Sequence, residues 1–284
     1  ANGAGNYNPF FYRMASNPSG ASILSDAVSV NPTFFSISLG EQDILNSAIS
    51  GGMTAAAPSS MFETSMTATV TALNVNGARG AISNIPDVTL YPYFNTIPWN
   101  GLALNQGKAD TLNIFFGSGA VGVNFHAGNN AFVIQDNNAP NGYRQMTKNE
   151  KVLLSVPLDS VKCYKWGSLV PLPDKYVLTE AEITVLKASI ASYNQVISSL
   201  AGTYGLALAD INTFLKSVKT GIVFNGIGMN AAFVSGGAFS LDGIHLNPIG
   251  QAMIANVFIK SINSSFGSTI PQVDATKYRG VKFP

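Results

Sequence analysis

Thr33-Phe34-Phe35-Ser36-Ile37-Ser38-Leu39 is a short apolar run of aromatic and β-branched residues closed by Gly40, and it reads as a buried strand. The polar turn Glu41-Gln42-Asp43 follows and leads into a helix-like segment at residues 44–50. Gly51-Gly52 interrupts the pattern. Ser59 and Ser60 with Glu63 resemble a capping box ahead of a helix at residues 61–73. Gly77 ends that helix, and residues 80–85 (Gly-Ala-Ile-Ser-Asn-Ile) form a second buried run. Strand, helix and strand at this spacing make a βαβ unit with a right-handed crossover.

Further along, Thr179 with Glu182 predicts the start of a long helix, Glu180–Tyr204. Its apolar positions Ile183, Leu186, Ile190, Tyr193, Ile197 and Leu200 follow helical spacing. Gly205 ends it, and residues 206–211 (Leu-Ala-Leu-Ala-Asp-Ile) read as a third buried strand. A loop-rich stretch at 221–237 precedes a final helix at 248–264. Toward the N-terminus, residues 1–20 read as loop and residues 22–29 as a short helix broken by Asn31-Pro32. Residues 86–178 are rich in proline, glycine and aromatics, with strand-like runs at 132–135 and 151–156. They read as a partly β insertion within a single domain spanning 1–284. The fold class is α/β, with a mainly parallel sheet, which puts a ligand site at the carboxyl ends of the strands.

Composition narrows the function classes. Charged residues make up 11% and hydrophobic residues 46% of 284, which is a globular balance. The net charge of +1 implies no nucleic-acid partner. No stretch is apolar enough to span a bilayer. Cys163 is the single cysteine, so no internal disulfide forms, and it reads as a small core hydrophobe. The richness in Asn, Ser, Gly and Thr suits an extracytoplasmic protein.

Two short stretches carry chemistry. In Phe239-Ser240-Leu241-Asp242-Gly243-Ile244-His245-Leu246-Asn247-Pro248, a carboxylate stands three residues before one of the chain's two histidines. An Asp that orients a His general base is two thirds of a nucleophile-activating triad. In Gly40-Glu41-Gln42-Asp43, at the end of the first strand, a glycine N–H and a side-chain amide could serve a developing oxyanion. His126 lies in the insertion with no ligand spacing around it, so no metal or cofactor is expected. Asp87 and Asp210 end strands. Tyr91, Tyr93, Phe94 and Trp99 form an aromatic group that reads first as core packing and second as a sugar platform.

On these stretches the chain resembles the SGNH (GDSL-like) hydrolases. Pro32-Thr33-Phe34-Phe35, Asn84-Ile85-Pro86-Asp87 and Gly236-Gly237-Ala238-Phe239-Ser240-Leu241-Asp242-Gly243 look like a branch found as Bacteroidetes-type surface lipoproteins. The resemblance implies a three-layer α/β/α, flavodoxin-like fold and a serine ester hydrolase, an esterase, lipase or carbohydrate esterase. It assigns Asp242 and His245 as catalytic acid and base, and Gly40 and Gln42 to the oxyanion. It also implies a lipid-ester or acylated-glycan substrate, and a cell-surface or periplasmic outer-membrane location, in association with a surface complex. Two departures stand out: Gln42 occupies the family's Asn position, and the family's Gly-Asp-Ser block is absent. The serine is therefore expected outside this chain, on a segment N-terminal to Ala1 or on a second chain that completes the sheet. The alternative reading is a non-catalytic surface scaffold or glycan-binding component on the same fold.

Overall fold

The computed structural model describes residues 9–117, 122–224 and 226–281. Its first half runs α1 (Pro9–Met14), α2 (Ile23–Ser29), β1 (Phe34–Ile37), α3 (Glu41–Ile49), α4 (Ser59–Leu73), β2 (Arg79–Ser83), β3 (Leu102–Leu104), α5 (Gln106–Phe116), β4 (Gly128–Asn130), β5 (Val133–Gln135) and β6 (Tyr143–Gln145). The second half continues with β7 (Lys151–Val152), α6 (Leu158–Lys162), β8 (Val177–Leu178), α7 (Glu180–Tyr204), β9 (Ala207–Ala209), α8 (Ile211–Thr220), β10 (Ile222–Phe224), β11 (Ile227–Met229) and α9 (Pro248–Phe266).

The three predicted runs pair into one parallel sheet, in the order β1-β2-β9. Phe34 stands opposite Arg79 and Ile82 opposite Leu208. The fold is therefore α/β, mixed helix and strand around a small parallel sheet. Gly80 has no side chain because the Phe35 ring lies across it, where a Cβ would meet ring carbons. Helix α9 packs on β9 and β2, and α7 packs on α4, α3 and β2. Phe34 meets Phe266 of α9 edge-on.

The long helix α7 forms as its pattern predicts. Thr179 and Glu182 make a reciprocal capping box, and Gly205 ends the helix in the left-handed conformation. All six apolar positions of its pattern, from Ile183 to Leu200, are buried. Between α7 and α4, Tyr193 stacks on Phe62, with ring centroids 3.9 Å apart and planes 5° from parallel. The Tyr193 hydroxyl donates to the Ala57 carbonyl at 2.6 Å. A stacked aromatic pair contributes on the order of 0.5–1.5 kcal/mol beyond the area it buries.

The region 86–178 contains three short antiparallel pairs, β3-β4, β5-β6 and β7-β8. Two apolar clusters centred on Phe132, Ile134 and Leu172 and on Leu112, Phe125 and Val133 lie there, apart from the cluster around the main sheet. Arg144 donates to both Asp136 and the buried Glu150, which also accepts from the Thr147 N–H.

Several expectations are corrected. Residues 9–14 are helix, not loop, while residues 1–8 lie outside the described residues. The polar turn at 41–43 is already the first turn of α3, because Gly40 is its N-cap. Helix α4 begins at Ser59 after Pro58 with no side-chain cap, so Ser59, Ser60 and Glu63 form no capping box. The third strand stops at Ala209. Asp210 turns away to cap α8 by accepting from the Thr213 N–H, so Asp210 and Ile211 belong to the start of a helix and not to the strand expected through 211. The loop-rich stretch holds the β10-β11 hairpin. Cys163 is exposed at the C-cap of α6, because that helix buries no residue.

Phe62→Ala should lower stability by about 3–5 kcal/mol, since it removes a buried ring and the stacking partner of Tyr193. A urea unfolding midpoint within error of the parent protein would contradict this account of the core.

Candidate active site

The loop carrying Asp242 and His245 is closed by its own backbone. The Ser240 N–H donates to the His245 carbonyl at 2.7 Å, and the Gly243 N–H to the Ser240 carbonyl at 3.1 Å. The Asn247 N–H donates to the Ala238 carbonyl at 3.0 Å. Asn247, 4% exposed, then caps α9 by accepting from the Gly250 N–H, and its amide donates to the Gly237 carbonyl. Asp242 is not the cap of that helix and is free for the loop.

Asp242 binds the loop with both oxygens. Its Oδ1 accepts from the Ser240 hydroxyl at 2.7 Å, the Ile244 N–H at 2.9 Å and the His245 N–H at 3.0 Å. Its Oδ2 meets His245 Nδ1 at 2.5 Å. Partial burial pushes the Asp242 carboxyl up. The bonds from the His245 ring, the Ile244 N–H, the Ser240 hydroxyl and the His245 N–H outweigh that and hold it well below the usual carboxylate range. A carboxylate has no proton to give, so Nδ1–H is the donor, and in the neutral ring the lone pair is on Nε2. That is the tautomer a general base requires. The side chains are 73% and 45% exposed, so the pair contributes little to global stability, and its bonds serve orientation.

A second anchor comes from the start of the insertion. The Tyr93 N–H donates to the Gly243 carbonyl at 2.9 Å. Gly243 sits at φ 72°, and a Cβ there would lie 2.9 Å from the Tyr93 nitrogen.

Across the cleft, β1 turns into α3 at Gly40. Its φ of 98° is open to glycine, and a Cβ would lie 2.5 Å from the Phe62 ring and 2.8 Å from Ile85. Ser38, Gly40, Glu41, Gln42, Tyr91 and His245 line one cleft of about 330 Å³. The structure thus brings three of the four predicted residues, Gly40, Gln42 and His245, to the lining of one cleft, with Asp242 bonded to His245 Nδ1. The Gln42 amide donates one N–H to Asn46 Oδ1 at 2.7 Å, one helical turn on, and retains a second.

Other predicted groups lie elsewhere. His126 is exposed, with its N–H bonded to Asn130, and among the described residues no cluster of His, Cys, Asp and Glu could hold a metal. Asp87 caps a short turn by accepting from Thr89. Asp210, besides capping α8, accepts from the Asn84 amide. Tyr91 and Phe94 are buried core, as expected, and Trp99 packs in the insertion.

Two features of the cleft escaped sequence reasoning. The buried Tyr91 hydroxyl donates to Glu41 Oε1 at 2.5 Å, and burial together with that carboxylate pushes its pKa well up. Ser38, exposed in the cleft, accepts from the buried Ser83 hydroxyl at 3.0 Å. Neither pairing has a signal within a local window of sequence.

No protein-family model, no curated protein and no solved structure matches this chain.

Because its pKa in the fold is depressed, the Asp242 carboxylate supports the loop at every pH above the ordinary value of 3.8, and that support is lost only as pH falls through the lower folded value. The Asp242 side-chain carboxyl ¹³C shift should therefore stay at its ionised position through pH 4. In Asp242→Ala, hydrogen exchange at the Ile244 and His245 amides should quicken about tenfold. A titration midpoint near 3.8, or unchanged exchange, would refute the bonding described.

Proposed function

We propose that this chain supplies the acid–base pair and oxyanion wall of an SGNH-type serine ester hydrolase with three-layer α/β/α architecture. The observation that carries the reading is the Asp242–His245 contact at 2.5 Å, with His245 lining the same cleft as Gly40 and Gln42. His245 Nε2 takes the proton from an attacking serine hydroxyl. Asp242 holds the ring and stabilises the imidazolium that forms. The Gly40 N–H and the second N–H of the Gln42 amide stabilise the tetrahedral oxyanion. His245 then returns the proton to the leaving alcohol. The chemistry needs no metal, since the base activates the nucleophile.

The serine reaches the cleft on a strand added to the open edge of β1, from the same polypeptide or from a second chain. The Arg79 N–H donates to the Thr33 carbonyl, so alternation along a parallel ladder turns the backbone groups of Phe34 and Ser36 away from β2. An apolar groove of about 560 Å³ runs beside that edge between α2, α4 and residues 36–39. The acylated substrate and an outer-membrane surface location belong to the same proposal.

A second reading, a non-catalytic surface component on the same fold, is favoured by one observation: Gln42 gives an N–H to Asn46. Hydrolysis of p-nitrophenyl butyrate by the full-length protein separates the two. His245→Ala should cut the rate by about 10²–10⁴-fold. A fluorophosphonate probe should label a serine outside residues 1–284. Label on Ser38 would move the nucleophile into this chain. Equal rates with and without His245, and no label at all, would leave the non-catalytic reading.

A further inference from the structure

A second pocket, of about 610 Å³, brings together the insertion, the end of α8 and the loop after β11. Asn95, Thr96, Lys219, Thr220, Asn230 and Phe233 line it, with no acidic residue among the lining. It shares no residue with the cleft of His245.

Lys151, at the start of β7, is bonded to this lining. Its ammonium donates to Asn95 Oδ1 at 3.0 Å. The Asn95 amide nitrogen donates to the Thr89 and Tyr91 carbonyls, each at 2.8 Å, which fixes the direction of its oxygen. Lys151 is half-buried, and none of the ion pairs among the described residues includes a lysine. Partial burial, then the charges of Lys219 on α8 and Lys187 on α7, push the Lys151 ammonium below its usual pKa, while Asp87 acts the other way. Three ammonium groups therefore gather near one carboxylate. The Oδ1 of that carboxylate already accepts from the Thr89 N–H and hydroxyl. Like charges held together at a partly buried position cost free energy unless an anion joins them.

The chemistry of the lining selects the anion. Lysine ammonium groups are point charges with three donors each, suited to a tetrahedral group. The planar arginine fork that matches a carboxylate is missing from the lining. Thr96 and Thr220 donate their hydroxyls to the Pro92 and Ser217 carbonyls, so they offer an anion no proton. Asn230 turns its oxygen to the Ala232 N–H at 2.8 Å, which leaves its amide nitrogen as a neutral donor of the lining.

We propose that this pocket binds a tetrahedral oxyanion, a phosphate or sulfate group, held by the ammonium groups of Lys219 and Lys151 and the amide of Asn230. Lys187 adds to the attracting field without lining the pocket. The site is independent of the hydrolase reading, since it uses none of the residues of that cleft.

Isothermal titration of the full-length protein at low ionic strength tests this with four probes: inorganic phosphate, glucose 6-phosphate, glucose 6-sulfate and acetate. Lysine side-chain NMR shifts report the place of binding. Phosphate should bind saturably and shift Lys151 and Lys219 well beyond Lys260, an exposed lysine on α9. Lys219→Gln, at an exposed position, should weaken binding about tenfold or more with the melting temperature unchanged, the loss of one charge-assisted bond. Lys151→Gln should weaken it likewise, and Lys260→Gln should leave it unchanged. Added sodium chloride should raise Kd steeply. Tighter binding of glucose 6-phosphate or 6-sulfate assigns the anion to an ester, and tighter binding of inorganic phosphate assigns it to the free ion; either sustains the site. Acetate binding as tightly as phosphate, Lys219→Gln binding like the parent, or shifts spread evenly over all lysines, the mark of an adventitious ion only, would overturn it. Loss of ester hydrolysis in His245→Ala with phosphate binding intact would keep the two sites apart.

Discussion

One backbone reversal at Gly40 sets the geometry on which the cleft depends. The chain leaves β1 and enters α3 across a single residue in the left-handed region, wedged against Phe62 and Ile85. No other residue type fits both the dihedral and the space. Phe62 is held in turn by Tyr193, and Tyr193 by the Ala57 carbonyl. A continuous packed path therefore runs from the long helix α7, through α4, to the N–H groups at the start of α3. The position of those donors is a property of the core and not of a flexible loop.

The opposite side of the cleft is fixed by the insertion. Tyr91 and Tyr93 lie two residues apart on a short turn. One bonds through its side chain to Glu41 on α3, and the other through its backbone to Gly243 on the histidine loop. The same short segment therefore sets the distance between the two halves of the site. Within the loop, Asp242 spends one oxygen on backbone and Ser240 bonds and the other on the imidazole. Orientation and electrostatics come from a single carboxylate.

Elements with strong local signals were readable in the sequence. The capped helix Glu180–Tyr204 and the terminal helix carry periodicity with a start or stop residue and form as expected, whereas the run at 33–39 forms a strand only over Phe34–Ile37, with alternate residues exposed rather than buried throughout. Helix α8 was not legible, because Asp210 both closes a buried run and caps the helix after it, and the apolar run continues through Ile211. The start of α3 was misplaced because glycine usually reads as an ending, and here it is the cap. The buried setting expected for Cys163 failed because composition says nothing about which face a five-residue helix presents. The Asp242–His245 pair was legible because a three-residue spacing lets one side chain reach the other. The Tyr91–Glu41 bond joins residues 50 positions apart, and only the folded chain reveals it.

The outer edge of β1 has a consequence for handling and for folding in the cell. Residues 33–39 carry no charge and no proline, and Phe34 is 43% exposed. Such a run is a template for intermolecular cross-β growth unless something shields it. No gatekeeping lysine guards it within the strand. Its protection must come from whatever lies against that edge, so shielding must be in place soon after synthesis. For molecules left unshielded, heat inactivation becomes a matter of rate and concentration, with clumping outrunning refolding.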